Sequence, residues 1–359
     1  MPAHLFVDLS AHGFGHVAQT APVINALYQR VPGLYITVRG TFPAKVLRTR
    51  ILPSFHHLPD GDPIGMVMGS AVDVLVAESH CAYRHSHAGW SVKVEREAAF
   101  LRQLAPDLVL SNVPYLSLTA AARAGIPAIA LSSLNWADIY HHYCGHLPGA
   151  AAIGTEIREA YSAAQVFLRI EPGLPMTDRD NLQVLGPIAA LGCQRRAELE
   201  RVLRLADGKR VVLIALGGVD TRLPTECWPT VPGVTWLVPN NWHSRRDDVV
   251  PFERVPMPFL DLLASSDAVL TKPGYGTFVE AACNGVPVLC MKRPDWPESP
   301  HLTRWLADHG TLVELDREQI LAGDMLIPLT RLLARPRPGP VVPRGVDQAA
   351  ALLASMLGG

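Results

Sequence analysis

Two α/β domains, each built on a mostly parallel sheet, are what this sequence predicts. Three observations carry the expectation. A strand–loop–helix alternation runs through the first half of the chain and then starts again; such alternation belongs to parallel sheets with crossover helices. A stretch rich in Pro, Gly and Asp, Glu171-Pro-Gly-Leu-Pro-Met-Thr-Asp-Arg-Asp180, interrupts it and reads as a linker. The 359 residues also exceed what one hydrophobic core usually serves. The expected divisions are a first domain over 1–170, a linker over 171–190, a second domain over 191–335 and a C-terminal segment over 336–359.

Along the chain, Leu5–Leu9 reads as a strand, Ala11–His16 as a glycine loop and Val17–Arg30 as a helix. Tyr35–Val38 is the next strand. A helix ends at Ala98–Leu104, Asp107–Leu110 is a strand, and Leu116–Ala124 is a helix leading through Gly125-Ile-Pro to the strand Ala128–Leu131. Phe167–Ile170 reads as the last strand of this half. The second half gives a helix over Arg195–Leu205, strands over Val211–Leu216 and Val234–Val238, a helix over Phe259–Ser265 and a strand at Val269–Leu270. A helix from Thr277, a strand over Val286–Met291 and a helix over Leu302–His309, ended by Gly310, follow. After the Pro-rich Arg335-Pro-Arg-Pro-Gly-Pro340, a last helix spans Val346–Leu357. Its Ala349, Ala350, Leu352, Leu353, Met356 and Leu357 form one apolar face, expected to fold back toward the first domain.

Composition narrows the function. Charged residues make up 18% and hydrophobic ones 48%, which fits a globular enzyme rather than a disordered chain. A net charge of −1 offers no basic surface for nucleic acid and no polybasic anchor. The first residues lack a charged n-region and a long apolar run, so no signal peptide is expected there. No stretch approaches 18 apolar residues, so no transmembrane helix is expected either. Peripheral membrane contact stays open. Six scattered cysteines without Cys-x-x-Cys pairs suit a reducing, cytoplasmic setting. Histidines crowd at His80, His85 and His87 and at His141, His142 and His146, beside Cys144, but metal spacing is only loosely met and no second ligand cluster completes a site. Asp60-Gly-Asp62 mimics a metal-binding Asp-x-Asp. It sits in turn chemistry with no strong strand before it, so no metal is assigned.

Residues 271–287 carry the strongest chemical signal. A short apolar strand runs into a turn built on Gly274 and Gly276, and a helix follows. Amides at a helix N-terminus point outward and the helix dipole adds about half a positive charge, which makes an anion site. Lys272 adds a full charge beside the turn. The expected ligand is a phosphate or diphosphate held by Lys272, Gly274, Tyr275, Gly276 and Thr277. The same letters also allow a plain capping box between Thr277 and Glu280.

The loop Ala11-His-Gly-Phe-Gly-His-Val-Ala-Gln19 is the second signal. Gly13-x-Gly15-x-x-Ala18 fits a loose dinucleotide fingerprint, and Arg39 at the end of the next strand would suit the 2′-phosphate of NADP. That leaves an NADP-dependent oxidoreductase as a remote reading. His16 favours another. An imidazole ionising near neutrality suits a base that takes a proton from an attacking hydroxyl. His12 is the alternative base, and a simple helix cap is the structural alternative for His16.

Both segments resemble known families. Lys272 to Pro287 matches, without gaps, the donor-binding signature of the UDP-glycosyltransferases, with Lys272 at the histidine position, Thr277 at the serine and Glu280 at the glutamate. It is similar also to the Lys-Ala-Gly-Pro-Gly-Thr of the plant galactolipid synthases. Over nearly the whole chain the likeness is to the non-kinase N-terminal region of plant L-arabinokinases. The residues that carry it are His12–His16, Ser111-Asn-Val-Pro114, Trp136–Tyr140 and Lys272–Thr277. The resemblance implies the GT-B fold: two Rossmann-like, doubly wound domains facing a cleft. It implies a metal-independent glycosyltransferase (a hexosyltransferase-type enzyme) with a UDP-sugar as donor substrate, no cofactor and an unidentified acceptor. It places the diphosphate on the 271–277 turn and on Gly217 and Gly218, the ribose on Glu280 and the donor sugar near Glu298. The Asp-Gln pair of related enzymes is missing around Glu298. A UDP-sugar epimerase or hydrolase on the same fold, or a non-catalytic nucleotide-sugar-binding protein, are the remaining alternatives.

Overall fold

A computed structural model describes all residues except Met1, Ala11, Asp62, Pro63, Val219, Asp220 and Gly359. The chain forms two compact units, one of Met1–Gly69, Asp73–Ile188 and Arg344–Gly359, the other of Ser70–Val72 and Ala189–Pro343.

In chain order the first unit contains β1 (His4–Leu9), α1 (Phe14–Arg30), β2 (Tyr35–Arg39), α2 (Ala44–Arg48), β3 (His56–Leu58), α3 (Val76–His87) and α4 (Trp90–Leu104). Then come β4 (Leu108–Asn112), α5 (Leu116–Ala124), β5 (Ala128–Ser132), α6 (Trp136–Cys144), α7 (Ala150–Ser162), β6 (Val166–Ile170) and β7 (Leu182–Leu185). The second contains α8 (Arg196–Leu203), β8 (Arg210–Ile214), β9 (Val234–Val238), β10 (Val249–Pro251), α9 (Phe259–Ser265) and β11 (Ala268–Thr271). It continues with α10 (Tyr275–Cys283), β12 (Val288–Met291), α11 (Ser299–His309), β13 (Leu312–Leu315), α12 (Arg317–Ala322) and α13 (Leu326–Leu333). The final helix, α14 (Gly345–Met356), returns to the first unit.

The first sheet has the order β3-β2-β1-β4-β5-β6-β7 and the second the order β10-β9-β8-β11-β12-β13, with every named strand pair parallel. Central strands are largely apolar and buried along nearly their whole length, such as Leu5–Val7 and Val211–Ile214. Strands covered by helices on both faces have no solvent side to alternate toward. Each sheet starts at an inner strand, β1 or β8, winds outward on one side, then crosses to the other side at β4 or β11. The gaps between β1 and β4 and between β8 and β11 are therefore topological switch points.

β7 lies inside the segment expected to be linker. Its Leu-Gln-Val-Leu is an edge strand in which only Leu185 is fully buried, so it shows no apolar run. The peptide of residues 70–72 belongs to the second unit. Ala71 and Val72 sit in its core with Trp228, Trp236 and Trp242, and Ala71 N donates to Thr221 Oγ1 at 2.9 Å. Among the described residues no helix is long and apolar enough to cross a membrane.

α14 packs against α1 and β7. Ala349, Ala350, Leu353 and Ala354 are buried, whereas Leu352, Met356 and Leu357 lie at its margin. Gln348 Oε1 accepts from Gly186 N at 2.8 Å, and Arg30 pairs with Asp347 at 2.9 Å. The small alanines let the two helices approach, and Leu353 fills the space left. Leu353→Ala should therefore destabilise the first unit by about 2–5 kcal/mol, read as a lower urea midpoint; an unchanged midpoint would refute this packing role.

Candidate functional site

At the switch point of the first sheet, β1 ends at Leu9 and α1 opens at Phe14, with Gly13 as N-cap at φ 143°. That backbone is open to glycine and strained for other residues. The helix thus starts three residues before the Val17 expected from sequence, and His16 lies in its first turn. His16 is not a cap: α1 has no side-chain cap bond. Its Nδ1 instead meets Asn112 Oδ1, at the end of β4, at 2.8 Å. Asn112 Nδ2 donates to Gln19 Oε1 at 3.0 Å, and Gln19 Nε2 donates to Ser133 Oγ at 2.8 Å. All four side chains are buried. Trp136, at the start of α6, lies 6.2 Å from the His16 ring, centroid to centroid. Burial pushes the His16 imidazole from its ordinary 6.5 down to about 4, with the Asn112 bond opposing. His16 is therefore neutral at physiological pH.

His12 is held differently. Its Nε2 donates to the Met66 carbonyl at 2.9 Å, and its ring stands edge-on to Trp136 at 4.9 Å. A Cβ on Gly65 would fall 2.6 Å from the His12 ring, so glycine is required there for the ring to fit. These contacts make His12 a wall of the site, whereas His16 has only one ring nitrogen engaged among the described residues.

At the switch point of the second sheet, β8 and β11 end side by side. Thr271 Oγ1 donates to the Ala215 carbonyl at 2.5 Å, tying the two exits together. Gly217 follows at φ 94°, exposed like Gly218. The Lys272 side chain spans the gap. A Cβ on Gly274 would lie 3.1 Å from its Nζ, and one on Gly217 would lie 3.9 Å from its Cε. The structure thus brings Lys272, Gly217 and Gly274 together.

The capping box does not form. α10 begins at Tyr275 with Gly274 as N-cap and has no side-chain cap bond. Thr277 and Glu280 both lie inside the helix, because the glycine backbone opens it two residues earlier than expected. The first-turn amides at Tyr275, Gly276 and Thr277 precede the first intrahelical bond, from Phe278 N to Gly274 O. Tyr275 is buried, Thr277 is partly exposed, and Glu280 is 2% exposed on the same helix.

Glu298 joins the Lys272 cluster through a residue that sequence reasoning missed. Arg293, just past β12, lies with its guanidinium 4.0 Å from the Trp296 ring centroid, and its Nε donates to the Val72 carbonyl at 3.2 Å. Trp296 Nε1 donates to Glu298 Oε2 at 3.3 Å. Burial pushes Lys272 down to about 8; Arg293 adds to the fall, and Glu298 and Cys290 oppose it. Lys272 thus has the like charge of Arg293 and the opposite charge of Glu298 in its field. Arg293 was not legible in Met-Lys-Arg-Pro because an arginine beyond a strand is usually solvated. Asn112 was quoted only within a resemblance, and its signal was its place at the end of the strand beside β1.

Other expected features resolve otherwise. Arg39 cannot serve a 2′-phosphate. It is buried, bonded to Asp8 at 3.0 and 2.7 Å and to Glu97 at 2.6 Å, and stacked over Phe6. That removes the motive for the NADP reading. His80 bonds the Tyr140 hydroxyl at 2.9 Å, and His87 bonds Glu156 and the Tyr115 hydroxyl, each at 2.6 Å. All six cysteines are free. Among the described residues no group of three or more His, Cys, Asp or Glu is placed to hold a metal ion. Asp62 lies outside the described residues.

The depressed His16 value sets the sign of an acid effect. Below pH 6.5 the unfolded chain gains a proton that the native ring refuses until about pH 4. The stability present above pH 6.5 is therefore lost between 6.5 and 4, by roughly 3 kcal/mol from this group. Urea titrations across that window should show a shallower loss for His16→Gln than for the parent. Equal slopes would contradict a buried neutral His16.

No family model matches the chain. It is 27% identical to an L-arabinokinase of Arabidopsis thaliana, over 88% of this chain but only 30% of that protein. Among solved structures it is similar to Arabidopsis thaliana UGT89C1, at a TM-score of 0.63 and 15% identity, covering 99% of this chain and 100% of that one. The glycotransferase of kitacinnamycin gives 0.61 and 16%, covering 99% and 95%. A UDP-glucosyltransferase from Polygonum tinctorium, described as able to glucosylate indoxyl, gives 0.61 and 15%, covering 100% and 99%. The two parallel sheets, in the same succession along the chain, give this protein the GT-B fold of those glycosyltransferases.

Proposed function

We propose that this chain is a glycosyltransferase that uses a nucleotide-sugar donor, with UDP as the nucleotide. The observation that carries the reading is Lys272, drawn against Gly274 and Gly217 at a switch point and beside Arg293. A partly buried ammonium with a second cation nearby is relieved by an anion, and a diphosphate is such an anion. The first-turn amides at Gly276 and Thr277 and the dipole of α10 add to the field. Glu280 holds the ribose hydroxyls and Glu298 the sugar. Lys272, Arg293 and the helix end stabilise the leaving UDP, which is the task a metal does elsewhere, so the reaction needs no added divalent ion. Several glycosyltransferases of this fold cover the full chain, which supports the same reading.

In the first unit His16 is the base. The acceptor atom bonds to the anomeric carbon, the carbon–oxygen bond to the diphosphate breaks with its electron pair going to UDP, and the acceptor proton passes to Nε2. A positioned base contributes 10²–10⁴-fold.

Incubation with radiolabelled UDP-sugars and an acceptor library, followed by product analysis, tests the reading. Sugar transfer that persists in EDTA is expected, with His16→Ala slower by about that same factor at nearly unchanged UDP affinity. Release of free sugar alone, an epimerised donor or no product would overturn it in favour of a hydrolase, an epimerase or a binding protein. A second outcome concerns pH. With Lys272 at about 8 before binding and raised by the bound diphosphate, UDP affinity is full below pH 8 and declines as pH rises through it. Calorimetry in buffers of different ionisation heat should show proton uptake on UDP binding near pH 8. Lys272→Met should abolish that uptake; uptake that survives the substitution would remove Lys272 from the diphosphate site.

A further inference from the structure

The hydrogen bonds behind His16 run in one direction. Gln19 donates to Ser133, Asn112 donates to Gln19, and His16 must then donate to Asn112, because an amide oxygen only accepts. The proton therefore sits on Nδ1, and Nε2 carries the lone pair. Reversal would require both amides and the tautomer to turn together inside a buried cluster.

The groups around the ring are Asn112 from β4, Trp136 from α6, with His12 on Trp136's other contact, and Thr20, which bonds the His16 carbonyl from the next turn of α1. Burial and the Asn112 bond are the influences on His16, and no charged side chain among the described residues adds to them. A carboxylate on Nδ1 would stabilise the imidazolium that forms when Nε2 takes a proton. A neutral amide orients the ring without supplying that charge. His16 is thus well aimed and weakly basic, and weak bases give little help to a nucleophile that must lose a tightly held proton.

Resting on the transferase reading above, we propose that the acceptor atom is itself acidic, a hydroxyl, thiol or carboxyl group that ionises near or below neutrality, and that Asn112 is the positioning residue that imposes this preference. The acceptor X–H gives up its proton to Nε2 at or before attack, the step in which His16 is the base. The X–carbon bond forms as the bond to the diphosphate breaks, and the products are glycosylated acceptor, UDP and one proton. No oxidant or reductant enters.

Phe14, two residues before His16, is 45% exposed and stacked on Phe42 at 5.8 Å, so probes sharing a benzene ring suit the site. With one UDP-sugar donor, 4-nitrophenol and thiophenol should exceed benzyl alcohol in kcat/KM by about 100-fold or more, the low end of what a base supplies. Nitrogen-15 spectra of the parent should show the His16 proton on Nδ1 and no titration near neutrality. Asn112→Asp should raise the His16 pKa and speed benzyl alcohol by about 10-fold or more in kcat, narrowing its gap to 4-nitrophenol. Should that variant not fold, the acceptor series and the parent spectrum decide alone. Benzyl alcohol reacting as fast as 4-nitrophenol, a proton on Nε2, or titration near pH 6.5 would each overturn the proposal and leave the transferase reading intact. Absence of transfer to every acceptor despite UDP-sugar binding would overturn both.

Discussion

In each sheet the chain starts at an inner strand and must fill the positions on both sides of it. That constraint separates the loops leaving β1 and β4, and those leaving β8 and β11, at the carboxyl ends of the strands. A side chain that bridges such a gap is anchored on one strand exit and bonded at the next. His16 does this with a bond to Asn112, and Lys272 lies against Gly217 without one. Both lie beside the start of a helix whose N-cap is a glycine, so the backbone approaches closely and no capping side chain blocks the first turn. The placement of the chemistry follows from the winding of the sheets more than from any one residue.

Burial then gives each group its character. Arg39 is buried with two carboxylates, Asp8 and Glu97, and forms a closed unit that ties β1, β2 and α4 together. Lys272 is partly buried with one carboxylate in its field and a second cation beside it, so its charge is incompletely met. His16 is buried against a neutral amide and stays uncharged. The three cases differ in whether folding supplies the counter-charge. Where it does, the group is structural; where it does not, the site favours an anion from outside or keeps the ring neutral.

Much of the fold was legible from residues. The apolar strands β1, β4, β5, β8, β9, β11 and β12 announce themselves as short buried runs, and Leu116–Ala124, Phe259–Ser265 and the last helix as apolar faces between turn signals. The edge strands β3, β7 and β13 were missed because half-exposed strands need no such run, and β10 because it is only three residues long. Helix starts at Phe14 and Tyr275 were placed late because Gly13 and Gly274 cap through backbone geometry, which leaves no letter such as Ser or Asp to read.

The sequence by itself determined the two α/β halves, the glycine turn beside Lys272 and the histidine loop, since these depend on neighbours a few residues apart. Only the tertiary structure decided what those residues face. His16 and Asn112 are 96 positions apart, and parallel pairing of β1 with β4 brings them to 2.8 Å. Arg293 reaches the Lys272 cluster because β12 lies beside β11, and Arg39 is withdrawn from any ligand because Asp8 stands opposite it in the register of β1 and β2. Charge, tautomer and burial are set by such long-range neighbours, and a linear reading does not contain them.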